Sequence, residues 1–171
     1  TFITNGWHAD LVIVVAKTNP AAGGKGTSLV LVERGMPGFS VGKRLKKLGL
    51  KAQDTSELFF DNVRVPASRM LGREGEGYRI ALANLEAGRI GIAAQSVGMA
   101  RAAFEAALGY ARERESFGKP IVEHQAVNFR LADMATRIEA ARQLIWHAAA
   151  LRDAGQPCLR EASMAKLFAS E

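Results

Sequence analysis

Tyr110-Ala-Arg-Glu-Arg-Glu-Ser-Phe-Gly-Lys-Pro-Ile-Val-Glu-His-Gln-Ala126 joins two long segments of helical spacing, and its reading decides the fold. One segment stops at an Arg-x-x-Phe-Gly turn. The next begins at or just after Glu123-His124-Gln125. A connection this short makes the two helices antiparallel neighbours. The turn also gathers a guanidinium (Arg114), a ring (Phe117) and an amide (Gln125) at the mouth of the pair. Charge for a pyrophosphate, a face for a ring and an amide for polar edges suit a nucleotide cofactor. A polar turn is also what any helical hairpin needs, so both readings stand at this point.

On the N-terminal side, from about Gly75 to Glu113, apolar residues recur at helical spacing: Ile80, Leu82, Leu85, Ile90, Ala93, Val97, Ala100, Phe104, Leu108 and Ala111. On the C-terminal side, a helix from about Glu123 to Ala154 is expected from Val127, Leu131, Met134, Ile138, Ala141, Ile145, Ala148 and Leu151. Arg152 in its last turn, Gly155 as a left-handed cap and Pro157 just beyond mark its end. A third helix is expected to start near Cys158 and to run through Glu171. Helices this long and rich in Ala would expose broad apolar faces if alone.

Before residue 70 the chain changes character. Asp10–Ala16, Ser28–Glu33 and Ser56–Phe60 are apolar runs, and Val41–Leu50 allows a more polar strand. Between them lie Asn19-Pro20, Gly23-Gly24, Gly35, Pro37-Gly38 and Asp61-Asn62, all turn chemistry. This part reads as an antiparallel meander or part of a sandwich. The fold class is therefore α+β: an antiparallel β-domain over 1–70, then long antiparallel helices of an incomplete four-helix bundle over 71–171. Thr1 begins as though inside a strand, so the chain reads as a fragment.

Composition narrows the functional classes. The chain has 171 residues, with 48% hydrophobic and 23% charged residues, which argues against wholesale disorder. Its single cysteine cannot form an internal disulfide, which fits a reducing compartment. No apolar run reaches the roughly 18 residues of a membrane span. The net charge of +6 invites a nucleic-acid reading. Its basic residues cluster only at Lys43, Arg44, Lys46, Lys47 and Lys51, and elsewhere alternate with acids as solvated faces do. No nucleic-acid role is drawn from them. An anionic small molecule, such as a coenzyme A phosphate, would benefit from the same field.

Individual motifs each carry a structural alternative. Phe2-Ile-Thr-Asn-Gly6 is a strand ending in a tight-turn signal. It is either a plain hairpin or a strand offering Thr4 and its main chain to a ligand ring, with Phe2 on the ring's face. Gly72-Arg-Glu-Gly-Glu-Gly77 precedes the first helix, but its glutamates would repel an anion and no phosphate-loop fingerprint is present, so it reads as a connecting loop. Gly88 should cost about 1 kcal/mol inside a helix, which close approach of another helix or a ligand would explain. Arg89 would then need a carboxylate, and Glu86 is three residues away on the same face. His8, His124 and His147 have no metal-ligand spacing, and no metal site is expected. His147 reads as a helix-packing histidine, and Cys158 as packed rather than reactive.

Taken in order, these segments resemble the acyl-CoA dehydrogenase family over essentially the whole chain. The resemblance rests on Phe2-Ile-Thr-Asn-Gly6, Lys25-Gly26, Leu31-Val-Glu33 and Leu58-Phe-Phe-Asp-Asn-Val-Arg-Val-Pro66. It continues through Leu71-Gly-Arg-Glu-Gly-Glu-Gly-Tyr78, Leu85-Glu-Ala-Gly-Arg-Ile-Gly-Ile-Ala93, the Arg114–Gln125 turn and Ala162-Ser-Met-Ala-Lys-Leu-Phe168. It implies FAD as cofactor, an acyl-CoA thioester as substrate and a trans-2-enoyl-CoA as product. It also implies a homotetramer passing electrons to an electron-transfer flavoprotein, in a bacterial cytoplasm or a mitochondrial matrix. Phe2, Ile3 and Thr4 match the family's flavin-contacting strand. Arg114, Glu115, Ser116, Phe117, His124 and Gln125 match the turn reaching the adenosine–pyrophosphate half, usually on a neighbouring subunit, and Glu86 and Arg89 match positions near bound acyl-CoA.

The chain departs from the family at the catalytic base. The family's Tyr-Glu-Gly-Thr type motif is absent, and the alternative base position of a branched- and long-chain subset is Gly88 here. The base is expected in C-terminal sequence beyond these residues, and the fragment alone should not turn over substrate. Competing readings are a nitroalkane oxidase or flavin monooxygenase type on the same scaffold, or a non-catalytic binding or assembly protein.

Overall fold

A computed structural model describes all 171 residues, and the chain divides into two compact units, Thr1–Ala81 and Leu82–Glu171. The first unit holds two three-stranded antiparallel sheets. One contains β1 (Phe2–Thr4), β5 (Thr55–Phe60) and β4 (Phe39–Arg44), in the order β1-β5-β4. The other contains β2 (Leu11–Lys17), β3 (Thr27–Glu33) and β6 (Met70–Leu71), in the order β2-β3-β6. β3 is the best-buried strand, with Leu29 and Val32 in the core. β2 alternates instead: Leu11, Ile13 and Val15 form an exposed apolar row on one face. Phe39 and Phe60 stack across the β4–β5 pair at 5.0 Å.

The expected antiparallel strands are present, but in two sheets rather than one simple meander. β1 does not hairpin onto β2 through Asn5-Gly6 but pairs with β5, Ile3 facing Ser56. Residues 5–10 are too long for a two-residue turn, and their main chain is tied to Asp54: Asn5 N donates to Asp54 O at 3.0 Å. The polar strand allowed over Val41–Leu50 also ends early, at Arg44. A register shift between Val41 and Arg44 precedes that end, and Leu50 beyond it has φ 49. Lys46, Lys47 and Lys51 therefore stand on a loop.

The glycine-rich segment ahead of the first helix is built for close packing. Gly75 N donates to the buried Ser28 Oγ at 2.9 Å, and a Cβ on Gly75 would sit 2.5 Å from Lys25 O. A Cβ on Gly77 would lie 2.7 Å from the Ser28 carbonyl carbon. These glycines let the chain lie against β3; they are not an anion cradle. Glu76 closes the turn by accepting from Arg73 N at 3.1 Å, and that bond together with Arg79 holds its carboxyl below the usual range.

The second unit is helical. α1 (Gly77–Glu113) starts in the first unit and runs through the second, where α2 (Gln125–Asp153) and α3 (Leu159–Ala169) join it. Ala93, Ile145 and Ala165 form its core, ringed by Ile90, Val97, Leu144 and Ala169. Small residues at these centres let the helices approach closely. On α2 the buried positions are Leu131, Ala141, Ile145 and Ala148, a subset of the expected stripe. Gly155, at φ 68, ends α2 in a Schellman motif: Gln156 N donates to Leu151 O and Gly155 N to Arg152 O, both at 2.9 Å.

Several helix expectations shift. α2 starts at Gln125, as Glu123-His124-Gln125 indicates, after a 3-10 turn over Ile121–Glu123. α3 stops at Ala169, short of Glu171; Ser170 turns its hydroxyl back to Leu167 O at 3.3 Å. His147 is exposed and not a packing residue, because Ile145 and Ala148 take the buried face. Met99, Tyr110, Phe129, Trp146 and Leu167 leave wide apolar surface on the helices, as their composition implied.

Candidate functional site

The interhelical turn is a miniature hairpin. β7 (Glu115–Ser116) pairs with β8 (Lys119–Pro120), and the two residues between them have positive φ, Phe117 at 55° and Gly118 at 79°. That is the type I′ geometry a two-residue hairpin prefers, although it normally selects Asn-Gly or Gly-Gly. Putting a bulky ring in the left-handed region costs about 1–3 kcal/mol. The ring recovers little through packing, since Phe117 is 96% exposed and has only an edge contact with His124 at 6.2 Å. His124 precedes α2, and its Nε2 lies 3.0 Å from Ser116 O, which ties the hairpin to the start of the helix. Ile121 N donates to Arg114 O at 2.8 Å, closing the turn at its base.

Within this unit the structure brings Arg114, Glu115, Ser116, Phe117, His124 and Gln125 together at one end of the helix pair. Arg114 and Gln125 are exposed, and the Arg114 guanidinium has no carboxylate partner. Phe2, Ile3 and Thr4 belong to the first unit, on an edge strand. Phe2 is 70% exposed and Thr4 is exposed.

Glu86 and Arg89 lie on α1, both half-buried, but do not pair as expected. Glu86 Oε1 instead accepts from Cys158 Sγ at 3.2 Å. Arg89 therefore has no carboxylate within ion-pairing reach. The expected close approach at Gly88 is also not supplied by this chain: a Cβ there would meet nothing within 4 Å. The hydrogen bond to Glu86, with burial, pushes the Cys158 thiol up, so it stays protonated and packed. In the folded protein Cys158 should react with a disulfide reagent at a small fraction of its rate in denaturant. Equal rates would show the Glu86 contact to be open.

Two buried polar groups carry no signal in the local sequence. Asp54 is 2% exposed and its Oδ2 accepts from Trp7 N at 2.8 Å, while its Oδ1 and the Ser56 Oγ have no partner. An Asp ahead of a strand reads as turn chemistry, so only the pairing of β1 with β5 reveals it. No group of three or more His, Cys, Asp or Glu is placed to hold a metal, and no helix is long and apolar enough to cross a membrane.

The comparisons with known proteins decide the family. The profile of the acyl-CoA dehydrogenase C-terminal domain matches residues 75–171, and that of the family's middle domain matches residues 1–63. The chain belongs to the acyl-CoA dehydrogenase family. An acyl-CoA dehydrogenase of Bacillus subtilis (strain 168) is 55% identical over 170 residues, covering 99% of this chain and 45% of that protein. The butyryl-CoA dehydrogenase structure from Megasphaera elsdenii is 46% identical with a TM-score of 0.92, covering 99% of this chain and 44% of that one. A structure of PigA with FAD and proline is 36% identical with a TM-score of 0.94, covering 98% of this chain and 44% of that one. The chain thus spans under half the length of these relatives.

Solved structures similar to this chain include ones named with FAD, and each of its two units carries exposed groups of the kinds a dinucleotide takes. In the helical unit, Arg114 is an exposed, unpaired cation and Phe117 an exposed ring on a positive-φ turn, groups of the kinds that a pyrophosphate and an aromatic ring take. In the first unit, taken by itself, Phe2 and Thr4 are an exposed ring and an exposed hydroxyl-bearing residue on one short strand. Each set, within its own unit, is chemically compatible with part of a flavin dinucleotide.

Proposed function

We propose that the full-length protein carrying this chain is an FAD-dependent acyl-CoA dehydrogenase, converting an acyl-CoA thioester to the trans-2-enoyl-CoA. The observation that carries the reading is Phe117: an exposed ring held at φ 55 in the same turn as an unpaired guanidinium, a strained arrangement with little return in packing. Bound FAD would supply the hydride acceptor for the substrate β-carbon. In this reading Arg114 binds the pyrophosphate, and Phe117 and Gln125 meet the adenosine half, of an FAD held on a neighbouring subunit. Thr4 and the β1 main chain hold the edge of the flavin ring, with Phe2 on its face. Arg89 and Glu86 stand near the acyl-CoA, Glu86 being oriented by Cys158. The α-proton is taken by a carboxylate outside residues 1–171, since no residue here matches the family's base motif and Gly88 has no side chain to act. Hydrogen bonds to the thioester carbonyl would acidify that proton.

The exposed apolar rows on the helices support assembly into a homotetramer, and an electron-transfer flavoprotein is the proposed acceptor. A bacterial cytoplasm or a mitochondrial matrix is the proposed location. The first experiment is the intact mass and visible spectrum of the protein from its source. A mass at least twice 18.4 kDa with a flavin spectrum is expected. A flavin-free protein of 18.4 kDa would leave only ancestry in common with the dehydrogenases.

A further inference from the structure

We propose that Asp54 is the positioning residue for the flavin-facing strand β1, a role that rests on the function proposed above. β1 is an edge strand of three residues, paired only with β5 through Phe2–Glu57, Ile3–Ser56 and Thr4–Thr55. So short a pairing is marginal by itself. What fixes its C-terminal end is Asp54, which holds the turn at two points. Its carbonyl accepts from Asn5 N at 3.0 Å and its carboxylate from Trp7 N at 2.8 Å. Asn5 is thereby kept in the left-handed region at φ 61.

Gly6, between the two anchor points, is buried and seated directly on the neighbouring strand. A Cβ there would come within 2.7 Å of Ser56 Oγ and 3.2 Å of Ile3 O. The turn is thus pinned from below by Asp54 and left room above only for glycine. A structural anchor of least cost would satisfy both carboxylate oxygens, yet Oδ1 is buried without a partner. Burying a half-satisfied carboxylate is expensive. Its position is explained by the one bond it does make, which sets where Thr4 and Phe2 stand on the opposite side of the turn.

The test uses the full-length flavoprotein, stripped of FAD and titrated by flavin fluorescence, with the visible absorption envelope of the reloaded protein as a second readout. Asp54→Ala should weaken FAD binding about tenfold and shift the envelope, since a buried hydrogen bond to a charged acceptor is lost. Asp54→Asn keeps one acceptor for Trp7 N and should restore most of the affinity. Gly6→Ala displaces the same turn without touching the carboxylate, so it should reproduce the loss and decides the matter if Asp54→Ala fails to fold. Wild-type FAD binding in Asp54→Ala and Gly6→Ala, with loss in Phe2→Ala and Thr4→Ala, would overturn the positioning role alone. Wild-type binding in all of them would overturn it together with the assignment of β1 to the flavin.

Discussion

Arg114→Ala in the full-length protein should raise the FAD dissociation constant by roughly tenfold to a hundredfold, the range expected when a charged hydrogen-bond donor to phosphate is removed. The prediction is sharp because nothing else in the chain depends on that guanidinium. It is exposed and unpaired, while the hairpin it borders is closed by main-chain bonds, Arg114 N to Tyr110 O at 2.9 Å and Ile121 N to Arg114 O at 2.8 Å. Alanine keeps both. The thermal stability of the flavin-free protein should therefore change by no more than about 0.5 kcal/mol, as for a surface substitution. A fall in flavin affinity without a fall in apo-protein stability separates a binding role from a structural one. If Arg114→Ala retains flavin as tightly as the wild type, the hairpin is only a connector. The strain at Phe117 would then have no functional explanation.

How much of this was legible beforehand varies with the kind of signal. The long helices were plain, because apolar residues at Ala93, Val97, Ala141, Ile145 and Ala148 keep a helical period and Gly155 caps α2 as glycine should. The strands were legible as runs but not as a topology. β1 and β5 are separated by more than fifty residues in the chain, and no local pattern says that Ile3 faces Ser56. That non-local pairing creates the Asp54 anchor, so the anchor was hidden for the same reason. Side-chain partnerships were the least accessible. Glu86 and Arg89 have the spacing of an ion pair, yet Glu86 turns to a thiol 72 positions away. Helical spacing defines which residues share a face; it does not define what the third helix brings to that face. The turn at Phe117 was visible as chemistry, but its left-handed backbone became apparent only with the hairpin.

The glycine before β3 sets the largest expected effect on folding. Gly26→Ala should destabilise the protein by about 3 kcal/mol or more, at or beyond the upper end of ordinary overpacking costs. A Cβ at Gly26 would sit 1.7 Å from Asn19 O and 2.7 Å from its carbon. Those atoms are main chain, so no side-chain rotation can relieve the contact. Asn19 is itself committed: its side chain caps the 3-10 turn over Pro20–Gly26, and its carbonyl accepts from Ala22 N at 3.2 Å. Moving Gly26 away would also break the bonds its own carbonyl accepts from Thr18 N and Asn19 N, at 2.9 and 3.1 Å. The disturbance would travel into β3, where Ser28, two residues on, holds Gly75 and so the approach to α1. Gly49→Ala is the control, since that glycine faces open space without a positive φ and should change stability by less than about 0.5 kcal/mol. Denaturant midpoints of the two variants against wild type decide it. A Gly26→Ala midpoint near that of Gly49→Ala would mean that the Asn19 loop can move as a body, and that β3 is not anchored at its start.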